Sequence, residues 1–264
     1  MPAELTESLL TMIITFINQM PASGKTSVCI ALANRLNDIP GDEGTNVIIF
    51  DCDPKLTTFT KYETFVKKYR KPPTNYQVIS LPLDDDGLVF KVINEIKDKS
   101  GYFLFDMPSL MEEWLCLRVL VSSHLIIVPF QPATGNDGRL KDFIIYLSRL
   151  RQYLLDSKIP VRSHFVLTPI LMNDEKHLND GEKSQLNLES FSEMIITPEV
   201  GNYANLLEKL NPIDMTDFDK LPFKEFTDKI IEIIDEIYQS EHHPKDKEET
   251  TLNNEIQETI ENTI

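Results

Sequence analysis

The sequence predicts an α/β protein built on a doubly wound, mostly parallel sheet flanked by helices. Three observations predict it. Short apolar runs alternate with helix-length stretches along most of the 264 residues. Several of the runs are continuously apolar rather than alternating, which suits strands buried on both faces of a parallel sheet. The first run leads into a tight loop ending Gly24-Lys25-Thr26 and then into a helix, an arrangement that points backbone N–H groups at an anion.

The strands are expected at Met12–Ile17, Asn46–Phe50, Tyr76–Ser80, Tyr102–Phe105, Leu125–Pro129, Phe165–Thr168 and Met194–Ile196, each a short run rich in Ile, Val, Leu or Phe. Helices are expected between and after them, at Thr26–Leu36, Thr57–Tyr69, Leu88–Lys97, Glu113–Val121, Asp137–Leu155, Glu182–Phe191, Tyr203–Leu210 and Lys220–Ser240. Strand–helix–strand alternation at this spacing implies right-handed crossovers and a doubly wound sheet. The acidic turn Asp84-Asp85-Asp86-Gly87 reads as a surface loop capping the next helix, not as a metal site.

Residues 1–240 are expected to form one domain, and residues 241–264 an acidic tail without aromatic residues. Within the tail, Leu252, Ile256, Ile260 and Ile264 recur every fourth residue beside Glu255, Glu258 and Glu261. A membrane-surface helix wants lysine and arginine there, so a partner-binding helix is the better functional reading.

The formal charge is −16, from 26 basic and 42 acidic side chains. Such a surface repels phosphate backbones and anionic lipids at long range, so contact with either requires a local basic patch. Candidate patches are Lys67-Lys68-Tyr69-Arg70-Lys71 and Arg149-Leu150-Arg151. The three cysteines, Cys29, Cys52 and Cys116, lack a CxxC spacing and are expected as buried small hydrophobes in a reducing compartment. The first ten residues carry two glutamates and no basic residue, unlike a signal peptide. No apolar run approaches the roughly 20 residues that span a bilayer. A cytoplasmic location without membrane insertion is expected.

Three motifs carry the chemistry. In the first, Asn18–Ser27 follows a strand and opens a helix. Gly24 would allow close backbone approach to phosphate, Lys25 would reach the β- and γ-phosphates, and Thr26 would offer its hydroxyl to magnesium. Against GxxxxGK[ST] the match is partial, because Gln19 stands where the first glycine belongs. The second motif is Asp51-Cys52-Asp53-Pro54 at the tip of the next strand, where two carboxylates can share one crevice. In the third, Tyr102-Phe103-Leu104-Phe105 ends in Asp106, the pattern of a carboxylate that holds magnesium through water. Together they predict a P-loop NTPase site taking ATP and Mg2+. GTP is disfavoured, because no Asn-Lys-x-Asp segment is found.

The combination resembles the ParA/MinD family of deviant-Walker P-loop ATPases, and within it the ParA-type partition proteins, over roughly Met12 to Tyr238. Leu125-Ile126-Ile127-Val128-Pro129-Phe130-Gln131-Pro132 adds to the likeness, as a strand ending in Pro-x-x-Pro. The resemblance implies a nucleotide-dependent homodimer that hydrolyses ATP slowly and positions DNA or other large cargo through a protein adaptor. It assigns the phosphate cradle to Ser23 and Gly24, with Ser27 among the nucleotide-binding residues, phosphate and magnesium binding to Lys25 and Thr26, orientation of the attacking water to Asp53, and support of the metal to Asp51 and Asp106.

Two departures bear on turnover. The family loop reads Lys-Gly-Gly-x-Gly-Lys-Thr, and its first lysine crosses the dimer to the partner's nucleotide; here Met20-Pro21-Ala22 occupies those positions. Methionine supplies no positive charge to a transition state, and Pro21 removes a loop N–H donor. Lys55 stands where the family commonly has glutamine and is a candidate replacement charge. The stretch Ile196–Tyr203, where relatives carry basic DNA-binding residues, holds no lysine or arginine. The primary reading is an ATP-switched positioning factor in partition or mobilisation (conjugation) of DNA. The alternative is a catalytically impaired nucleotide-binding scaffold.

Overall fold

A computed structural model describes residues 11–38, 46–53, 57–69, 76–109, 113–131, 137–158, 164–170, 194–197, 200 and 223–242. In chain order they form β1 (Thr11–Phe16), α1 (Lys25–Asn37), β2 (Asn46–Asp51), α2 (Thr57–Tyr69), β3 (Gln77–Ser80), α3 (Asp86–Ile96) and β4 (Gly101–Asp106). Then follow α4 (Glu113–Ser122), β5 (Leu125–Phe130), α5 (Asp137–Asp156), β6 (His164–Pro169), β7 (Met194–Ile196) and α6 (Lys224–His242). The expected helices at Glu182–Phe191 and Tyr203–Leu210 lie outside the described residues, as do Lys55 and residues 243–264 of the tail.

The strands form a seven-stranded sheet in the order β3-β2-β4-β1-β5-β6-β7, and every pair is parallel. The parallel sheet read from the apolar runs is therefore present, with β1 at its centre. Period-two alternation explains its two covered faces. Met12, Ile14 and Phe16 of β1 pack with α1 and α6, while Ile13 and Ile17 pack with α3, α4 and α5. On the first face α6 lays down Phe226, Ile230, Ile233, Ile234 and Ile237, one helical stripe at spacings of three and four. Arg35 on α1 pairs with Asp228 on α6 at 3.2 Å. On the second face Val89 and Ile93, Val119 and Leu120, and Phe143 and Leu147 cover Phe103, Phe105, Ile126 and Val128. Phe50 and Phe105 stack at 4.7 Å between ring centroids.

The start of α3 shows the local logic. The Asp85 carboxylate accepts from Leu88 N at 2.9 Å, so the acidic turn does cap the helix, and Asp86 is already in its first turn. The Arg118 guanidinium of α4 forks onto Asp86 at 2.7 and 2.8 Å and lies over the Phe90 ring at 5.1 Å. All three cysteines are buried and free, as the sequence implies. Among the described residues no helix is long and apolar enough to cross a membrane.

Because all strands run the same way, their carboxyl ends share one edge. The chain leaves β1, builds β2 and β3 outward, and returns to place β4 between β1 and β2. It then crosses to β5 on the other side of β1. A reversal of strand order opens a crevice beyond the carboxyl ends, and ligands of open α/β sheets bind there.

Candidate functional site

The loop after β1 is braced against the end of β5. Asn18 Nδ2 donates to Pro129 O at 2.6 Å, and its Oδ1 accepts from Met20 N at 2.8 Å. Gln131 Nε2 donates to Ala22 O at 2.6 Å. Two loop residues are left-handed, Ala22 at φ 56° and Gly24 at φ 92°. Such a conformation turns consecutive N–H groups toward one concavity, the geometry that holds an anion at a helix start. Gly24 is required twice over, since a Cβ there would lie 3.3 Å from Ile170 Cγ1 in addition to the backbone cost. Ala22 bears a Cβ in the same region without that relief.

Lys25 opens α1 and is buried, with 6% of its surface exposed. Its ammonium donates to Met20 O at 3.2 Å, Ser23 Oγ at 3.3 Å and Ser109 Oγ at 2.8 Å. Burial lowers its pKa to about 8, although Asp106 and Asp53 pull the other way. Thr26, the next residue, donates a side-chain hydrogen bond to Asp106.

Asp106 ends β4, buried, and its Oδ1 has no hydrogen-bond partner. Burial lifts its pKa to about 7; the Thr26 bond and Lys25 oppose this, whereas Asp51 and Asp53 add to it. Asp51 ends β2 directly opposite Asp106 in the sheet register. Its Oδ2 accepts from Phe59 N at 2.8 Å and its Oδ1 from Asp53 N at 3.2 Å, and Thr58 N also bonds to it. The Asp51 carboxylate thus anchors the first turn of α2, and burial raises its pKa against those bonds. Asp53 is half-buried and acts electrostatically on both Lys25 and Asp106.

Six sequence-predicted residues therefore converge on one edge: Ser23, Gly24, Lys25 and Thr26 from the loop and α1, Asp51 from β2, and Asp106 from β4. Asp53 stands beside them, and Ser27 follows one residue further along α1. Sequence reasoning did not find Ser109, whose contact with Lys25 joins positions 84 residues apart. It also missed the bracing roles of Asn18 and Gln131, since nothing in the spacing of a loop reveals which distant carbonyl its side chains reach. Chemically, the edge offers an anion cradle with a buried cation, next to a hydroxyl and an unsatisfied carboxylate oxygen. Hard oxygen donors of that kind suit magnesium. Among the described residues no three His, Cys, Asp or Glu side chains are grouped to hold a metal by themselves. An ion here would complete its shell with water and phosphate oxygens.

No protein-family model matches the chain, and no curated protein matches it by sequence. Solved structures do match by fold. One is a Borrelia burgdorferi B31 protein assigned to plasmid partition and bound to AMPPNP, at TM-score 0.55 and 15% identity, covering 87% of this chain and 98% of that one. Another is a Cyanothece McdA–ATP complex, at TM-score 0.62 and 13% identity, covering 86% and 96%. A third is cobyrinic acid a,c-diamide synthase from Mycobacterium smegmatis with an ATP analogue and magnesium, at TM-score 0.55 and 16% identity, covering 84% and 95%. The chain thus shares its fold with a plasmid partition protein, with McdA and with cobyrinic acid a,c-diamide synthase.

Proposed function

We propose that the chain is a ParA-like ATPase, a nucleotide-switched positioning factor that binds ATP with Mg2+ and helps partition or mobilise DNA. The observation that carries this is the convergence of Lys25, the Thr26–Asp106 pair and Asp51 at the carboxyl ends of three adjacent parallel strands. The fold neighbours bound to AMPPNP, to ATP and to an ATP analogue with magnesium support the choice of ligand.

In this reading the loop N–H groups and Lys25 bind the β- and γ-phosphates, and burial of the ammonium strengthens its hold on an anion. Thr26 Oγ1 and the unpartnered Asp106 Oδ1 hold magnesium, Asp106 directly or through water. Magnesium, when bound, neutralises charge developing on the transferred phosphoryl group. Asp53 orients the attacking water. Asp51 serves the metal site through its charge while its oxygens keep α2 in place.

A second reading is favoured by a specific feature. Met20 and Pro21 occupy positions where a lysine and a glycine stand in the resembled family, so the chain's own loop brings no second cation to the phosphates. On that ground the protein is a nucleotide-binding scaffold with little or no turnover. DNA is then reached through an adaptor, which also fits the net charge of −16 and the pairing of Lys67 with Glu63 at 3.0 Å. The tail from residue 241 onward is proposed as an adaptor contact, and the protein as a cytoplasmic homodimer when nucleotide is bound.

ATP hydrolysis and the mass of the particle in solution, measured with wild type and Lys25→Ala, test both readings. Turnover and ATP-dependent dimerisation, both lost in the variant, support the switch. Dimerisation without turnover supports the scaffold, and the absence of both turnover and ATP-dependent dimerisation rejects both.

A further inference from the structure

An ammonium has three N–H donors, and all three of Lys25 are engaged by the protein. Two acceptors, Met20 O and Ser23 Oγ, belong to the same loop. The third and shortest contact, 2.8 Å, is Ser109 Oγ, three residues beyond Asp106 on the chain leaving β4. A phosphate oxygen approaching the cradle must take over at least one of these donors.

Which bond yields follows from acceptor strength and geometry. A negatively charged phosphate oxygen is a stronger acceptor for an ammonium than any of these three neutral oxygens, so position decides which of them yields. The loop contacts come from the wall that cradles the anion, whereas Ser109 reaches Lys25 from a separate strand end. Ser109 also lines a small cleft with Asn18, Gln19, Pro108, Cys116 and Tyr146, so its side chain has space beside it once the ammonium leaves.

We propose that Ser109 is a positioning residue that holds the Lys25 ammonium until a di- or triphosphate displaces it. Ser109 is thus a competitor of the nucleotide, not a ligand for it. The exchange is a swap of hydrogen bonds on Nζ, with no covalent step. It rests on the phosphate-loop reading above and adds a residue that couples occupancy of the loop to the exit of β4.

The sign of the effect separates this role from ordinary structural support. Removing the hydroxyl removes a competitor, so Ser109→Ala should bind MgADP and MgATP more tightly, by roughly 3- to 10-fold, within the range a hydrogen bond to a charged group allows. Adenosine and AMP offer Lys25 no β-phosphate, so their binding should not change. Ser109→Thr, which keeps the hydroxyl, should bind MgADP and MgATP with wild-type affinity.

The experiment is titration calorimetry of the full-length chain and these variants with MgADP, MgATP and AMP. Thermal melts with and without saturating MgADP accompany it. Tighter di- and triphosphate binding by Ser109→Ala, together with a lower melting temperature only in the nucleotide-free protein, supports the proposal. Weaker binding shows that Ser109 helps hold the nucleotide and overturns it. Unchanged binding by a variant that melts like wild type overturns it as well. If wild type binds neither MgADP nor MgATP, the phosphate-loop reading fails and takes the proposal with it, an outcome distinct from the other two.

Discussion

Replacing Asp106 by asparagine should make the nucleotide-free protein more stable and less pH-dependent while removing its response to magnesium. Asp106 is buried, and one of its oxygens has no hydrogen-bond partner. A carboxylate there loses its hydration and is repelled by Asp51 and Asp53, so its pKa rises from 3.8 to about 7. In the unfolded chain the group ionises near its ordinary value; in the folded protein it keeps its proton until about pH 7. Between these values the folded state binds more protons, so stability falls as pH rises through the window. The span corresponds to roughly 4 kcal/mol for an isolated group. About 2–4 kcal/mol is therefore expected in a urea titration. Wild type should therefore lose stability between about pH 4 and pH 7, where Lys25, with a pKa of about 8, is still mostly protonated. Asp106→Asn should be flatter over that window, keeping only the slope left by groups such as Asp51, and more stable at its upper end, and Mg2+ with ADP should stabilise only wild type. Equal pH profiles for the two proteins would refute the claim that burial keeps Asp106 protonated in the folded protein.

Gly24→Ala should cost about 2 kcal/mol or more and abolish nucleotide binding, because a Cβ at φ 92° also presses on Ile170; a melt and a fluorescent-nucleotide titration report both. Ala22→Gly relaxes a left-handed alanine at φ 56° and should raise the melting temperature by about 1–3 °C, the gain being limited by the greater unfolded-chain entropy of glycine. Cys29 and Cys52 are fully buried and their thiols are pushed well up by desolvation, followed by the nearby carboxylates. Neither should react with a thiol reagent at pH 8 until denaturant is added, and rapid labelling of either in the native protein contradicts that placement.

Much of the architecture was legible because one physical signal dominated. Continuous apolar runs such as Ile13-Ile14 and Leu125-Ile126-Ile127-Val128 have no polar residue to place toward water, so a doubly covered parallel sheet was the consistent solution. Strand ends differ by a residue or two: β1 begins at Thr11 and ends at Phe16, and β2 extends to Asp51, because ladder pairing, not apolar character, decides where a strand stops. The helix expected from Leu88 begins at Asp86, since the cap is Asp85 and helical backbone starts with the next residue.

The site was legible as motifs but not as a network. Gly24-Lys25-Thr26 and Asp106 announced themselves by position after strands, and the fold brings them together. What Asp51 does with its oxygens was hidden, because bonding to the first turn of α2 depends on how the chain turns after β2. Ser109 carried no signal at all, being a lone serine whose partner lies 84 residues away. The order of strands, with β4 inserted between β1 and β2, is what puts Ser109 beside Lys25.

Binding of MgATP through Lys25 is the claim on which the rest depends. Calorimetry of the purified full-length chain with MgATP tests it most directly, with Lys25→Ala as the comparison. A saturable heat at one site per chain, absent from Lys25→Ala and requiring Mg2+, is the predicted result. No binding by wild type, or equal binding by a folded Lys25→Ala protein, contradicts the account.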